Sequence, residues 1–322
     1  MWNILLMAAG FVLLVQGAKW LVDGASALAK RLRVSDLMVG LTVVAFGTSM
    51  PELTVNVISA VEGNPAIAIG NVLGSNIANI LLILGISAMI FPLEVQKGTV
   101  WKEIPFSLLA ALVLGVAAND IFLSGGEKNI LSAGDGLIFL FFFLIFMVYI
   151  FETAKSQRSV SPRTDEAKIK ILTPGKSALY IFLGLVGLFF GGEWTVKGAV
   201  YLASLFRVSQ SLVGLTIVAV GTSLPELVTS VVAALKKNPE IAVGNVVGSN
   251  IFNIFLILGI TPLVKPLEFS PASNMDIGMT VLASALLFLW AFTGKKRKID
   301  RWEGGIFTAL YAAYMAVLIL RG

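Results

Sequence analysis

Cysteine and histidine are both absent from this 322-residue chain. Without thiols there can be no disulfide and no thiolate metal site. Without imidazole the commonest proton shuttle and the commonest transition-metal ligand are missing too. Charge is scarce: Asp, Glu, Lys and Arg together make up 13% of the residues, against 57% hydrophobic. Apolar runs of about twenty residues recur from end to end, the length needed to cross a hydrocarbon core about 30 Å thick. The first, from about Ile4 to Ala29, is too long for a signal-peptide core and has no basic segment before it, so it reads as a membrane span. The composition predicts an all-α polytopic membrane protein.

Hydropathy lays down ten transmembrane helices, at about residues 4–29, 35–61, 66–91, 103–118, 135–153, 177–204, 209–235, 240–264, 275–293 and 303–320. With ten spans, the connections after the first, third, fifth, seventh and ninth share one side. That side collects Lys30, Arg31, Arg33, Lys97, Lys102, Lys236, Lys237, the string Lys295, Lys296, Arg297, Lys298 and Arg301, and six basic residues from Lys155 to Lys176. The other face has Lys128, Arg207, Lys265 and Arg321. The positive-inside rule therefore predicts a cell-membrane protein with both termini outside and the 154–176 linker in the cytoplasm. The net charge of +5 is this orientation signal. It is no nucleic-acid patch, because the basic residues are dispersed over several short connections.

The linker separates residues 1–153 from 177–322, and the two parts match. Shifting the sequence by 174 positions superimposes Gly17–Glu94 on Gly191–Glu268 without a gap, and about two-thirds of positions between Val39 and Ile80 are identical to their equivalents in 213–254. Five spans separate equivalent positions. An odd number makes the copies cross the membrane in opposite directions, which predicts two inverted-topology repeats of five helices with a site at the midplane between them. One chain then holds a complete site, and the expected functional unit is a monomer.

Two motifs recur in register. The first is Gly47-Thr48-Ser49-Met50-Pro51-Glu52-Leu53, repeated as Gly221-Thr222-Ser223-Leu224-Pro225-Glu226-Leu227. An ionised carboxylate at mid-membrane costs about 2.5–3.5 kcal/mol on insertion scales, so it faces a cavity, a partner or a bound ion. Pro51 has no N–H to give the carbonyl of Gly47, so carbonyls around Ala45 to Thr48 are expected to lose their intrahelical partners. Thr48 and Glu52, four residues apart, share a helix face. The second motif is Gly70-Asn71-Val72-Leu73-Gly74-Ser75-Asn76-Ile77-Ala78-Asn79, repeated as Gly244-Asn245-Val246-Val247-Gly248-Ser249-Asn250-Ile251-Phe252-Asn253. Ser75 and Asn79 share a face, as do Ser249 and Asn253. Two carboxylates with many neutral oxygens, and no sulfur or imidazole, suit hard cations such as Ca²⁺.

These paired motifs resemble the two alpha repeats of the cation/calcium antiporter superfamily, most closely its prokaryotic sodium/calcium exchangers. The resemblance implies exchange of Na⁺ for Ca²⁺ by alternating access, with no cofactor beyond the transported ions. Carried over by position, it implies Ca²⁺ ligands in the side chains of Glu52 and Glu226 and the carbonyls of Thr48 and Thr222. For Na⁺ it adds the carbonyls of Ala45 and Ala219 and the hydroxyls of Ser49, Ser223, Ser75 and Ser249. Asn79 and Asn253 line the middle of the site. Some members carry aspartate at the position of Asn253; with Asn in both copies, a potassium-dependent subtype is disfavoured.

Other readings of the same residues remain. A proton/calcium antiporter would use the same glutamates, but relatives of that type pair Glu with His, and here Leu53 and Leu227 follow. A cation channel would need a continuous pore. An enzyme would need a nucleophile and base beside the glutamates, and none accompanies them. The serines can be packing groups, and Asn71, Asn76, Asn245 and Asn250 read as braces of the broken helices. In spans one and six, Lys19 with Asp23 and the sign-exchanged equivalents Glu193 with Lys197 read as self-neutralising pairs; the alternative reading is that spans one and six slide against the core during transport and these pairs limit the travel. Lys295–Lys298 reads as a topology anchor.

Overall fold

The computed structural model describes residues 2–158, 172–206, 219–293 and 297–321. Its longer helices are α1 (Trp2–Leu32), α2 (Asp36–Thr48), α3 (Met50–Glu62), α4 (Pro65–Ile90), α5 (Lys97–Ala117), α6 (Ala133–Arg158), α7 (Pro174–Leu205), α8 (Leu224–Leu235), α9 (Pro239–Val264), α10 (Asn274–Trp290) and α11 (Arg301–Arg321). Among the described residues eight of these are long and apolar enough to cross a membrane, and the pair α2–α3, bent by 42°, makes a ninth span. Of the seventh expected span, α8 is described together with a short turn at Ala219–Gly221. Residues 209–218 lie outside the described part, as do Lys295, Lys296 and most of the linker. Helix α6 runs past the expected start of that linker, to Arg158.

Each break is written in the sequence. Pro51 and Pro225 sit in the first turns of α3 and α8, where a missing N–H costs nothing, so the residue that stops one helix starts the next. Gly63 ends α3 with φ of 82°, a left-handed conformation that suits glycine. Pro65 and Pro239 then open α4 and α9.

The first helices of the two halves, α1 and α7, run antiparallel along their lengths. Glycines recur every seven residues on both, at 10, 17, 24 and at 184, 191, 198. A Cβ on Gly10 would lie 2.8 Å from the carbonyl oxygen of Gly191, and one on Gly17 would lie 2.8 Å from that of Gly184. The backbones touch there, as small-residue seams allow between membrane helices. These two contacts are one contact seen twice, because adding 174 to one partner and subtracting it from the other converts the first into the second. Equivalent helices therefore run in opposite directions, and the halves are related by a pseudo-twofold axis.

The halves are also interlocked. α6 packs on α9 of the other half, and α11 packs on α4. Two short antiparallel bridges cross between halves, Leu93 with Ile299 and Ile130 with Glu268. The first bridge, the bond from Gln96 to Glu240 (2.5 Å) and that from Asn238 to Asp36 (2.6 Å) bring the chain around 36, 96, 238 and 298 together on one face. That is the face on which the basic connections were expected. At the centre lie α4 and α9, 72% and 94% buried over their apolar windows, so this pair walls the interior.

Spans one and six depart from expectation in one respect. Glu193 pairs with Lys197 as expected, at 2.5 Å, but Asp23 pairs with Lys236 at 2.6 Å and not with Lys19. The α8–α9 turn brings Lys236 against α1, where its ammonium also reaches the Lys19 carbonyl at 3.1 Å.

Candidate ion-binding site

The two helix breaks face each other across the pseudo-twofold axis, with α4 and α9 completing the enclosure. Glu52 and Glu226 are fully buried. Each takes a hydroxyl from the other half's motif: Ser49 Oγ donates to Glu226 Oε1 at 3.1 Å, and Ser223 Oγ donates to Glu52 Oε1 at 3.3 Å. Each also takes one from its own half, Ser75 to Glu52 at 3.3 Å and Ser249 to Glu226 at 3.5 Å. Thr48 donates to Asn245 Oδ1 at 3.0 Å and Thr222 to Asn71 Oδ1 at 3.2 Å. The site is thus assembled from both halves, residue by equivalent residue.

Asn71 and Asn245 act as braces. Each turns its amide nitrogen onto the carbonyl of the neighbouring glutamate, Glu52 and Glu226, at 3.3 Å in both cases. Asn71 also reaches Asn56 (2.6 Å), and Asn245 reaches Ser230 (3.0 Å), the equivalent of Asn56. Asn56 and Ser230, both fully buried, were not singled out from sequence. The signal was there, since each stands four residues after a motif glutamate on the same helix face.

Asn79 and Asn253 lie in π-helical turns, Ala78–Leu84 and Phe252–Ile257. Such turns often mark functional sites, because they widen the helix locally and redirect side chains. Asn79 donates to Asn250 Oδ1 and Asn253 to Asn76 Oδ1, both at 2.9 Å. Their amide nitrogens are occupied, and their oxygens are left over.

Four of the buried side-chain oxygens that no donor reaches are Glu52 Oε2, Glu226 Oε2, Asn79 Oδ1 and Asn253 Oδ1, two pairs related by the 174-residue shift. Leaving a buried acceptor unsatisfied costs about 1–3 kcal/mol, more for a charged group. Four oxygens of this kind in one motif cluster, two of them acidic, are the ligand chemistry of a hard cation. Among the described residues no cluster of three or more acidic, histidine or cysteine side chains exists, so the acidic charge available here is that of two glutamates.

The backbone at the break is freed less widely than expected. The Ala45 carbonyl still accepts Ser49 N–H at 3.0 Å and lies 3.4 Å from Thr48 Oγ1. In the second half Ser223 N–H turns to Val220 instead, at 3.1 Å, and not to Ala219. The Gly47 and Gly221 carbonyls lose their donors to Pro51 and Pro225, as expected.

Inverted repeats, paired helix breaks and a buried carboxylate pair define a secondary cation transporter of the alternating-access class. Comparison with known proteins gives the particular family. Residues 2–152 and 176–320 match the family described as sodium/calcium exchanger protein, and the chain belongs to it. The sodium/calcium exchanger MaX1 of Methanosarcina acetivorans is 33% identical over 344 residues, covering 98% of each chain. The inner membrane protein YrbG of Escherichia coli K12 is 33% identical over 97% of this chain and 95% of its own. The solved structure of the sodium-calcium exchanger NCX_Mj soaked with 2.5 mM Na⁺ and 0.1 mM Ca²⁺ superimposes with a TM-score of 0.82 at 34% identity, covering 98% of both chains. The protein is a cation/Ca²⁺ antiporter of the membrane, in a family of transporters and not of enzymes.

Proposed function

We propose that this protein exchanges about three Na⁺ for one Ca²⁺ across the cell membrane, as a monomer with both termini outside, and that it extrudes Ca²⁺ under an inward Na⁺ gradient. The observation that carries the reading is the quartet of donor-less oxygens on Glu52, Glu226, Asn79 and Asn253. Ca²⁺ is held between the two carboxylates, with the Thr48 and Thr222 carbonyls completing the shell. Na⁺ takes the same carboxylates together with the hydroxyls of Ser49, Ser75, Ser223 and Ser249 and the carbonyls of Ala45 and Ala219. Both ions need Glu52 and Glu226, so occupancy by one expels the other. Coupling follows when the empty site cannot cross between its two faces, because two unpaired carboxylates in a closed, dry core are costly.

Sodium coupling is favoured over proton coupling by the hydroxyls. Four serines surround the glutamates, and every one donates to a carboxylate oxygen. Protons loaded directly onto the carboxylates would leave those hydroxyl oxygens without a role as ligands. The test is Ca²⁺ flux in proteoliposomes with Na⁺, K⁺ and pH gradients imposed one at a time. Flux driven by the Na⁺ gradient alone is expected; flux driven by the pH gradient alone would replace this reading with proton/calcium antiport.

A further inference from the structure

The pseudo-twofold axis predicts ion pairs as well as packing. Asp23 on α1 binds Lys236 at the end of α8. Moving both by 174 positions turns Asp23 into Lys197 on α7, and Lys236 into Glu62 at the end of α3. Both signs have reversed together. A single reversal would have set like charges face to face, so the pairing has been kept while each partner changed. In this structure the second pair is not made: Lys197 turns along its own helix to Glu193, and among the described residues Glu62 has no ionic partner. The packing is unequal in the same sense. α1 lies against α8, whereas the equivalent approach of α7 to α3 is almost lacking.

We infer that Asp23–Lys236 and Lys197–Glu62 are alternating latches, one closed in each of the two transport states. In an inverted-repeat carrier each half takes up the other half's conformation when access changes sides. The contact now present on one face must then form on the opposite face, with its symmetry-related residues. In that state α7 closes on α3, Lys197 leaves Glu193 for Glu62, and Lys236 releases Asp23. Glu193 and Lys19 hold equivalent places, one turn before Lys197 and Asp23. Glu193 is the resting partner of a latch lysine, and Lys19 can serve the same way for Asp23. An exposed pair is weak, so each latch biases its state modestly and still opens within a transport cycle.

The inference rests on the alternating-access reading, and its test does not depend on which ions move. The chain has no cysteine of its own. One variant carries Asp23→Cys with Lys236→Cys, a second carries Glu62→Cys with Lys197→Cys, and a third carries all four changes. Each is treated in liposomes with a short bifunctional methanethiosulfonate reagent, and cross-links are read by gel mobility. Both pairs are expected to cross-link, and in the third variant the first cross-link should lower the yield of the second at least tenfold. Absence of the Glu62–Lys197 cross-link beside an efficient Asp23–Lys236 one would overturn the inference, and so would both cross-links in one molecule. As a second measure, Glu62→Lys should slow exchange about threefold, and adding Lys197→Glu should restore it. A slow double variant would overturn the reciprocal pairing. Alternating cross-links without Na⁺-driven Ca²⁺ flux would leave the latches standing and remove the exchange reading alone.

Discussion

Glu52 and Glu226 each commit one carboxylate oxygen to serine hydroxyls and keep the other without a donor. A glutamine at either place puts an N–H₂ donor where an anionic oxygen should meet a metal, and it removes half of the charge that balances Ca²⁺. We expect Glu52→Gln or Glu226→Gln to weaken Ca²⁺ binding about 100-fold or more, the scale of breaking a buried charge pairing, while the protein still inserts and folds. Calorimetric titration with Ca²⁺ checks this, and near-normal affinity in either variant would remove that residue from the ligand set. The serines are less equal than their motifs imply. Ser75 donates to Glu52 and also accepts from Asn253 (3.1 Å) and Ser223 (3.0 Å), whereas Ser249 reaches Glu226 at 3.5 Å. Ser75→Ala removes one donor from Glu52 and leaves one N–H of Asn253 without its acceptor, so it should weaken Na⁺ activation about tenfold, at the one-bond scale of about 1–3 kcal/mol. Ser249→Ala should have a clearly smaller effect in the same flux assay.

At the level of helices, much of the architecture was legible in the residues. Long apolar runs gave the spans, the 174-residue shift gave the repeat, and Pro51 and Pro225 gave the breaks. The asparagines at 71 and 245 read as braces, and they are. Less legible was whatever depends on neighbours distant in sequence. The π-helical turns that carry Asn79 and Asn253 have no local marker in the sequence, and the side chains that take up their amide groups, Asn250 and Asn76, come from the other half. The partner of Asp23 depends on where the α8–α9 turn lands, so spacing along α1 pointed to Lys19 instead of Lys236. The Ala45 carbonyl keeps its amide donor because Ser49 still completes the last turn of α2, a detail below the resolution of a proline-break argument. The glycine seam between α1 and α7 is a testable element. A side chain at Gly17 or Gly184 meets backbone atoms within 2.9 Å, so the helices must separate. Gly17→Val should cost about 1–3 kcal/mol, the usual range for overpacking, and lower the thermal midpoint in detergent. Gly175→Val, where nothing stands within 4 Å, should leave the midpoint unchanged.

For the whole molecule, the number of carboxylates sets the electrical character of the cycle. Two ionised glutamates offset one Ca²⁺ completely, so the Ca²⁺-loaded core crosses the membrane with no net charge from the site. Three Na⁺ at the same two glutamates leave one positive charge, and no third acidic side chain is available to cancel it among the described residues. On the proposed count the Na⁺-loaded transit would move that charge through the field, at about 2.3 kcal/mol per 100 mV for a full crossing. On the proposed three-to-one count, Ca²⁺ uptake into vesicles loaded with Na⁺ would carry one positive charge outward per cycle, so an inside-positive potential should accelerate it and an inside-negative one should slow it. Imposing the potential with K⁺ and valinomycin while the Na⁺ gradient is held fixed makes the comparison direct. Converting Asn253 to Asp adds a third carboxylate beside Ser75 and Asn76. If that group is ionised, the Na⁺ form becomes neutral and the Ca²⁺ form acquires one negative charge. The Asn253→Asp variant should then lose most of the voltage dependence of its Na⁺-loaded step while still binding Ca²⁺. Uptake that ignores the imposed potential in the parent protein would contradict the three-to-one count, and it would leave the buried oxygen site to be explained by a two-to-one exchange.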